Sequence, residues 1–204
     1  MNENNSSKQV LISILGVAIL IVAVVGISFA AFSYSKTGTV TNTITTGTIT
    51  MSYTEPTNGI NLTDALPITD TAGKALSGDN NTFDFTVAAT ISGEATINYA
   101  ITAVKGDECT VADAGVKVYL TSVAGGNSET EVLAPTKVSA LISTTDGNAA
   151  GAPSGQLILK TGTYNANSTD SYRLRMWVAD DYTAPATQQR YILKVNVYGK
   201  ANAQ

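Results

Sequence analysis

Histidine is absent from the 204 residues and cysteine occurs once, at Cys109. Without imidazole, the H-E-x-x-H zinc site, the Ser-His-Asp triad and the Cys-His pair are all excluded, because each needs that ring as ligand or general base. A single thiol permits no disulfide within the chain, so Cys109 is expected as a half-buried or loop thiol, or as one half of a bond between copies. Charge is also scarce, 14% of residues, with a net value of −4. A mildly acidic, Thr/Gly/Ala-rich surface excludes nucleic acid as a partner. The remaining acids are scattered over turns; Asp79, Asp146, Asp180 and Asp181 could offer oxygens to calcium, yet none falls in an alternating acidic loop, so solvated turns are expected and no metal or other cofactor. These absences argue against an enzyme and against a small-molecule substrate.

What the chain does have is one long apolar run. Val10 to Phe32 contains no charge and no proline, and as a helix its 23 residues would reach roughly 34 Å, enough to cross a bilayer core. The short polar leader with Lys8 predicts a cytoplasmic amino terminus and an external body. Residues 1–30 therefore read as a signal peptide or a signal anchor. Ser28 and Ala30 are small residues at the spacing a signal peptidase recognises, which places a cleavage before Ala31. The run is longer than the 7 to 15 residues usual for a signal peptide core, which keeps the uncleaved anchor open.

After residue 33 the periodicity changes to alternation, the signature of half-buried strands. Met51 and Tyr53 alternate with Thr50 and Ser52; Phe83, Phe85, Val87, Ala89 and Ile91 share a face; Ile97, Tyr99 and Ile101 follow a short Gly-containing link that predicts a hairpin. Further strands are expected at 116–120, 156–160, 172–178 and 191–198. In 172–178, Tyr172, Leu174, Met176 and Val178 oppose Arg173, Arg175 and Trp177, with Trp177 expected in a second layer under a stacked arginine. Short helices are weakly indicated only at 62–66 and 134–141. Eight to ten strands separated by turn-rich stretches predict an all-β, antiparallel sandwich over residues 47–204.

Residues 31–46 stand apart. They are β-branched and polar, with apolar positions at Phe32, Tyr34, Val40 and Ile44 and a single charge, Lys36. Such a segment buries little by itself but would gain a row of main-chain hydrogen bonds on an open sheet edge. It is either a donor strand for a neighbouring copy or the first strand of its own sheet.

The ordered series "SFAAFSYSK", "TGTVTNTI", "TTGTITMSY" and "INLTDALPITDTAGK" resembles the amino-terminal signature of the TasA/camelysin family of secreted bacterial surface and biofilm-matrix proteins, over residues 26 to 76. The resemblance implies a jelly-roll form of the sandwich, removal of the apolar segment by a signal peptidase, and assembly into extracellular fibres with the chain itself as partner, the freed strand completing the next subunit's sheet. Before processing the partner is the membrane. The alternative is a non-enzymatic, membrane-anchored β-sandwich displayed at the cell surface.

Overall fold

A computed structural model describes residues 33–37, 42–46, 49–56, 60, 65–92, 95–125, 127–145, 148–183 and 189–202. Alternating side chains give ten strands among them: β1 (Ser33–Thr37), β2 (Asn42–Thr46), β3 (Ile49–Thr54), β4 (Thr82–Ile91), β5 (Thr96–Lys105), β6 (Val116–Ala124), β7 (Ser128–Lys137), β8 (Leu157–Tyr164), β9 (Ser168–Val178) and β10 (Leu193–Asn202). They form two antiparallel sheets packed as a sandwich, ordered β1-β10-β5-β8 and β2-β3-β4-β9-β6-β7.

Met51 and Tyr53 of β3, Phe85 and Val87 of β4, Leu174 and Met176 of β9, and Val118 and Leu120 of β6 are buried on the inner face of the larger sheet. Ile97, Tyr99 and Ile101 of β5 and Val195 and Val197 of β10 are buried on the smaller one. Each such side chain removed from water contributes roughly 1.5–3 kcal/mol. The inner layer is rich in rings: Tyr99 stacks on Tyr164 at 4.4 Å and Phe85 on Tyr172 at 5.4 Å. The Tyr99 and Tyr172 hydroxyls meet across the sandwich at 3.2 Å, and Tyr164 donates to Asp170 at 2.8 Å. Burial pushes the Tyr164 and Tyr172 phenols well above their ordinary range, so they remain neutral donors.

Two expectations about the elements are corrected. β4 and β5 do not form a hairpin: β4 lies between β3 and β9 while β5 lies between β10 and β8 in the other sheet. Both strands turn the same alternation toward one shared core, so a link that crosses the sandwich and one that doubles back carry the same pattern. The helix expected at 134–141 is instead the end of β7 followed by a 3-10 turn, Val138–Ala140; pairing with β6 overrides weak helical propensity. The helix that does form, α1 (Asp70–Lys74), lies after the 62–66 candidate, of which 62–64 fall outside the described residues. Thr69 caps it by accepting from the Ala72 amide at 3.3 Å, and Asp70 and Lys74 suit its two ends.

Both outer faces are partly roofed. On the larger sheet α1 covers Trp177, which is 2% exposed. The close approach requires Gly73, since a Cβ there would fall onto the indole ring. Trp177 thus lies in a second layer, but the stacked arginine is elsewhere: the Arg175 guanidinium lies over the Tyr119 ring, 5.9 Å from its centroid. On the smaller sheet, residues 142–145 and 148–156 form a lid that packs Ala149 and Ala152 onto Ala100 and Tyr198. Ser143 bridges to Leu157 and Ile158 donates to the Ile142 carbonyl at 2.8 Å, tying the lid to β8.

Replacing Gly73 by alanine is expected to lift α1 from Trp177 and destabilise the domain by about 1–3 kcal/mol, the usual cost of overpacking. Denaturant unfolding followed by fluorescence of the single tryptophan measures it; an unchanged midpoint and emission spectrum would count against the packing described.

Candidate assembly edge

A sandwich of two open sheets has four edges, and each presents unpaired main-chain N–H and C=O groups unless something blunts it. In this protein the two sides of the sandwich are finished differently. On one side the last strands are β10 and β3, and their nearness is set by side chains. Met51 of β3 reaches across to the β10 backbone at Gly199, where a Cβ would occupy the position of the methionine sulfur.

The polar segment after residue 32 takes both of these edges. β1 pairs with β10 from Ser33↔Lys200 to Thr37↔Asn196, and β2 pairs with β3 from Asn42↔Tyr53 to Thr46↔Ile49. One stretch of chain therefore ends both sheets on the same side. Of the residues singled out as donor positions, Tyr34 stands opposite Gly199 and Ile44 opposite Met51. Phe32 and Val40 lie outside the described residues, as do the cleavage residues Ser28, Ala30 and Ala31 and the whole apolar run 10–32. Among the described residues no helix is long and apolar enough to cross a membrane.

Among the described residues, β1 pairs with five of the ten residues of β10. β10 is paired along its other side with β5 through all ten residues, from Leu193↔Lys105 to Asn202↔Thr96. The β1 ladder ends at Lys200, leaving Ala201 and Asn202 beyond it.

On the opposite side, the β7 edge of the larger sheet is guarded against pairing. Edge strand β7 carries Glu129, Glu131, Pro135 and Lys137, and its ladder with β6 is interrupted twice around Leu120. Proline cannot donate to a ladder, while charges and irregularity discourage addition of another strand. Glu129 also clamps β7 down. Its carboxylate accepts from Arg175 at 2.6 and 2.8 Å, from Arg173 at 2.8 Å and from Thr121 at 2.8 Å. Arg173 is held in turn by Asp84 of β4 at 2.6 and 2.8 Å, and Arg175 Nε donates to the Leu76 carbonyl at 2.7 Å. The chain of contacts spans β4, β9, β6 and β7. The Arg175 guanidinium foremost, with Thr121 and Arg173, lowers the Glu129 carboxyl from 4.5 to about 2.

Of the acids weighed as calcium ligands, Asp180 and Asp181 are tied to lysines. Lys117 donates to Asp70 at 2.7 Å and to Asp180 at 3.5 Å, and Lys137 to Asp181 at 2.6 Å. Asp146 lies outside the described residues. The described residues contain no group of three His, Cys, Asp or Glu side chains able to hold a metal. Cys109 is half-buried, its sulfur accepting from the Ile192 amide at 3.1 Å and donating to the Ile192 carbonyl at 3.4 Å.

Sequence reasoning missed two features of this arrangement. The Glu129 clamp depends on the order β9-β6-β7, which no local pattern announces. Asn196, buried on the outer face of β10, reads in sequence as an ordinary outward polar residue; its burial comes from the lid. The chain matches no protein-family model, no curated protein and no solved structure.

Because the folded Glu129 pKa lies below its unfolded value, its stabilisation is present above about pH 4.5 and lost as pH falls toward 2. Glu129→Gln is expected to cost about 1–3 kcal/mol at neutral pH and to flatten the loss of stability between those two values. Thermal melts of both proteins across that window test this; parallel acid profiles would remove the clamp from the account.

Proposed function

We propose that this chain is a secreted, non-enzymatic structural protein that assembles into extracellular fibres of a biofilm matrix or cell surface by β-strand addition through residues 31–46. The observation that carries this reading is that a single polar, β-branched segment finishes both sheet edges on one side of the sandwich. Its pairing is made of main-chain hydrogen bonds, which a second copy's segment could supply equally well. Exchange between copies keeps every contact and changes only the connectivity, so concentration and the length of the connection select between closed monomer and open chain. The guarded β7 edge favours growth on the other side.

The jelly-roll form of the sandwich is part of the proposal. The orders β1-β10-β5-β8 and β4-β9-β6-β7 are those that two interlocked Greek keys generate, with β2 and β3 as an added hairpin on the second sheet. A signal peptidase acting between Ala30 and Ala31 would leave two residues ahead of Ser33. That equals the number of β10 positions, Ala201 and Asn202, beyond the end of the present ladder. The self-assembling partner is thus the same chain, the membrane being a partner only before processing.

A second reading, a single-pass anchored surface protein with the same sandwich, is favoured by the length of the uncharged run, 23 residues. The two separate cleanly. Material in fibres is expected to begin at Ala31 by mass spectrometry, and deletion of 31–46 is expected to abolish fibres seen by electron microscopy. Recovery of the chain solely in membranes with Met1 intact would instead establish the anchored form and end the fibre proposal.

A further inference from the structure

β1 and β2 are each held by a main-chain ladder of five residue pairs, to β10 and to β3, but they are tethered differently. Thr46 of β2 stands directly opposite Ile49 of β3, so two residues connect the strands. Three Cα steps reach at most about 11 Å. β2 therefore meets another copy's β3 only if the chain runs straight through 46–49, which undoes the hairpin in both molecules. Nor can the hairpin leave whole. β3 pairs with β4 through all six of its residues, from Ile49↔Ile91 to Thr54↔Thr86, and its Met51 and Tyr53 are fully buried in the core.

β1 has neither restraint. It lies in the smaller sheet and β2 in the larger one, and four residues, 38–41, join Thr37 to Asn42. Packed sheets lie about 10 Å apart, whereas the five Cα steps from Thr37 to Asn42 reach about 18 Å. That slack lets β1 leave its β10 without disturbing β2. We propose that β1 alone is the exchangeable strand: it leaves its own β10 for the β10 edge of a second copy, while β2 stays on its own β3. The proposal deepens the strand-addition reading above and rests on it, dividing residues 31–46 into a donor strand and a retained one.

The division also fixes where the second copy sits. The donor's Thr37 takes its place beside Asn196 of the receiving β10, as it does within one molecule, and can lie no more than about 18 Å from the donor's own Asn42. Copies therefore abut along the side that carries β10 and β3 instead of being joined by a long linker. The receiving strand stays in place when its own β1 departs, because β10 remains paired with β5 through ten residues and its Val195 and Val197 remain in the core. β2 keeps the β3 edge covered throughout. Each exchange thus opens one edge and not two.

Disulfide locks in the exported chain, made in a Cys109→Ser background, test the division. Directly opposed residues of an antiparallel ladder have the Cα separation that a disulfide needs. Ser33→Cys with Lys200→Cys ties β1 to its own β10; oxidation is expected to abolish fibres and reduction to restore them. Thr45→Cys with Thr50→Cys ties β2 to its own β3 and is expected to leave the fibre yield unchanged in both states. Intact mass and migration as a monomer before assembly establish that each bond is internal. Loss of fibres from the oxidised Thr45→Cys, Thr50→Cys chain overturns the division and leaves strand addition standing, whereas fibres from the oxidised Ser33→Cys, Lys200→Cys chain sink both. Amide exchange in the unsubstituted monomer needs neither locks nor fibres. The connection before β2 is twice as long as the one after it, so protection over 33–37 is expected to be about threefold below that over 42–46; equal or greater protection of β1 overturns the division. A chain that forms no fibres even without locks ends the assembly reading, and the order of exchange then upholds or overturns the looser tether of β1 by itself.

Discussion

An unpaired strand edge is the constraint around which this protein is arranged. Buried faces of a sandwich look after themselves, because apolar side chains from the two sheets remove one another from water. Edges have no such remedy, and their main-chain groups must be paired, blocked or left to recruit another strand. Here the β7 edge is blocked by Pro135, by the acids of β7 and by a ladder interrupted around Leu120. The β10 and β3 edges are paired by the polar, β-branched segment that forms β1 and β2.

The contrast between the sides has an energetic basis. On the β7 side, Glu129 is held by two arginines that reach from β9 across β6. Charge-assisted hydrogen bonds of this kind are stronger than neutral ones and directional, so they fix an edge strand that has few apolar contacts. On the β10 side, Met51 packs against the bare backbone of Gly199. Stability there is supplied by the main-chain ladders to β1 and β2, which are indifferent to which molecule provides the strand.

The two roofs over the outer faces bear on the same point. α1 over Trp177 and the lid over Tyr198 let residues on both faces of β9 and β10 be buried. β10 is consequently buried on both faces. Asn196 lies beneath the lid, its amide nitrogen donating to Gln156.

Much of the sandwich was legible in the sequence. The alternation in β3, β4, β5 and β9 reports which side chains face the core, because a pleated strand must send successive residues to opposite faces, and Met51, Tyr53, Val87, Ile97 and Leu174 are buried as that pattern requires. The polar, β-branched character of 31–46 likewise marked it as a strand that needs an edge. The sequence could not say which edge, because alternation is identical whether β4 and β5 pair or cross the core. Nor could it disclose the Glu129 clamp or the burial of Asn196. Those arise from strands 44 and 40 residues apart from their partners along the chain, brought together by sheet order and by a lid, and long-range order of that kind is decided only when the whole domain closes.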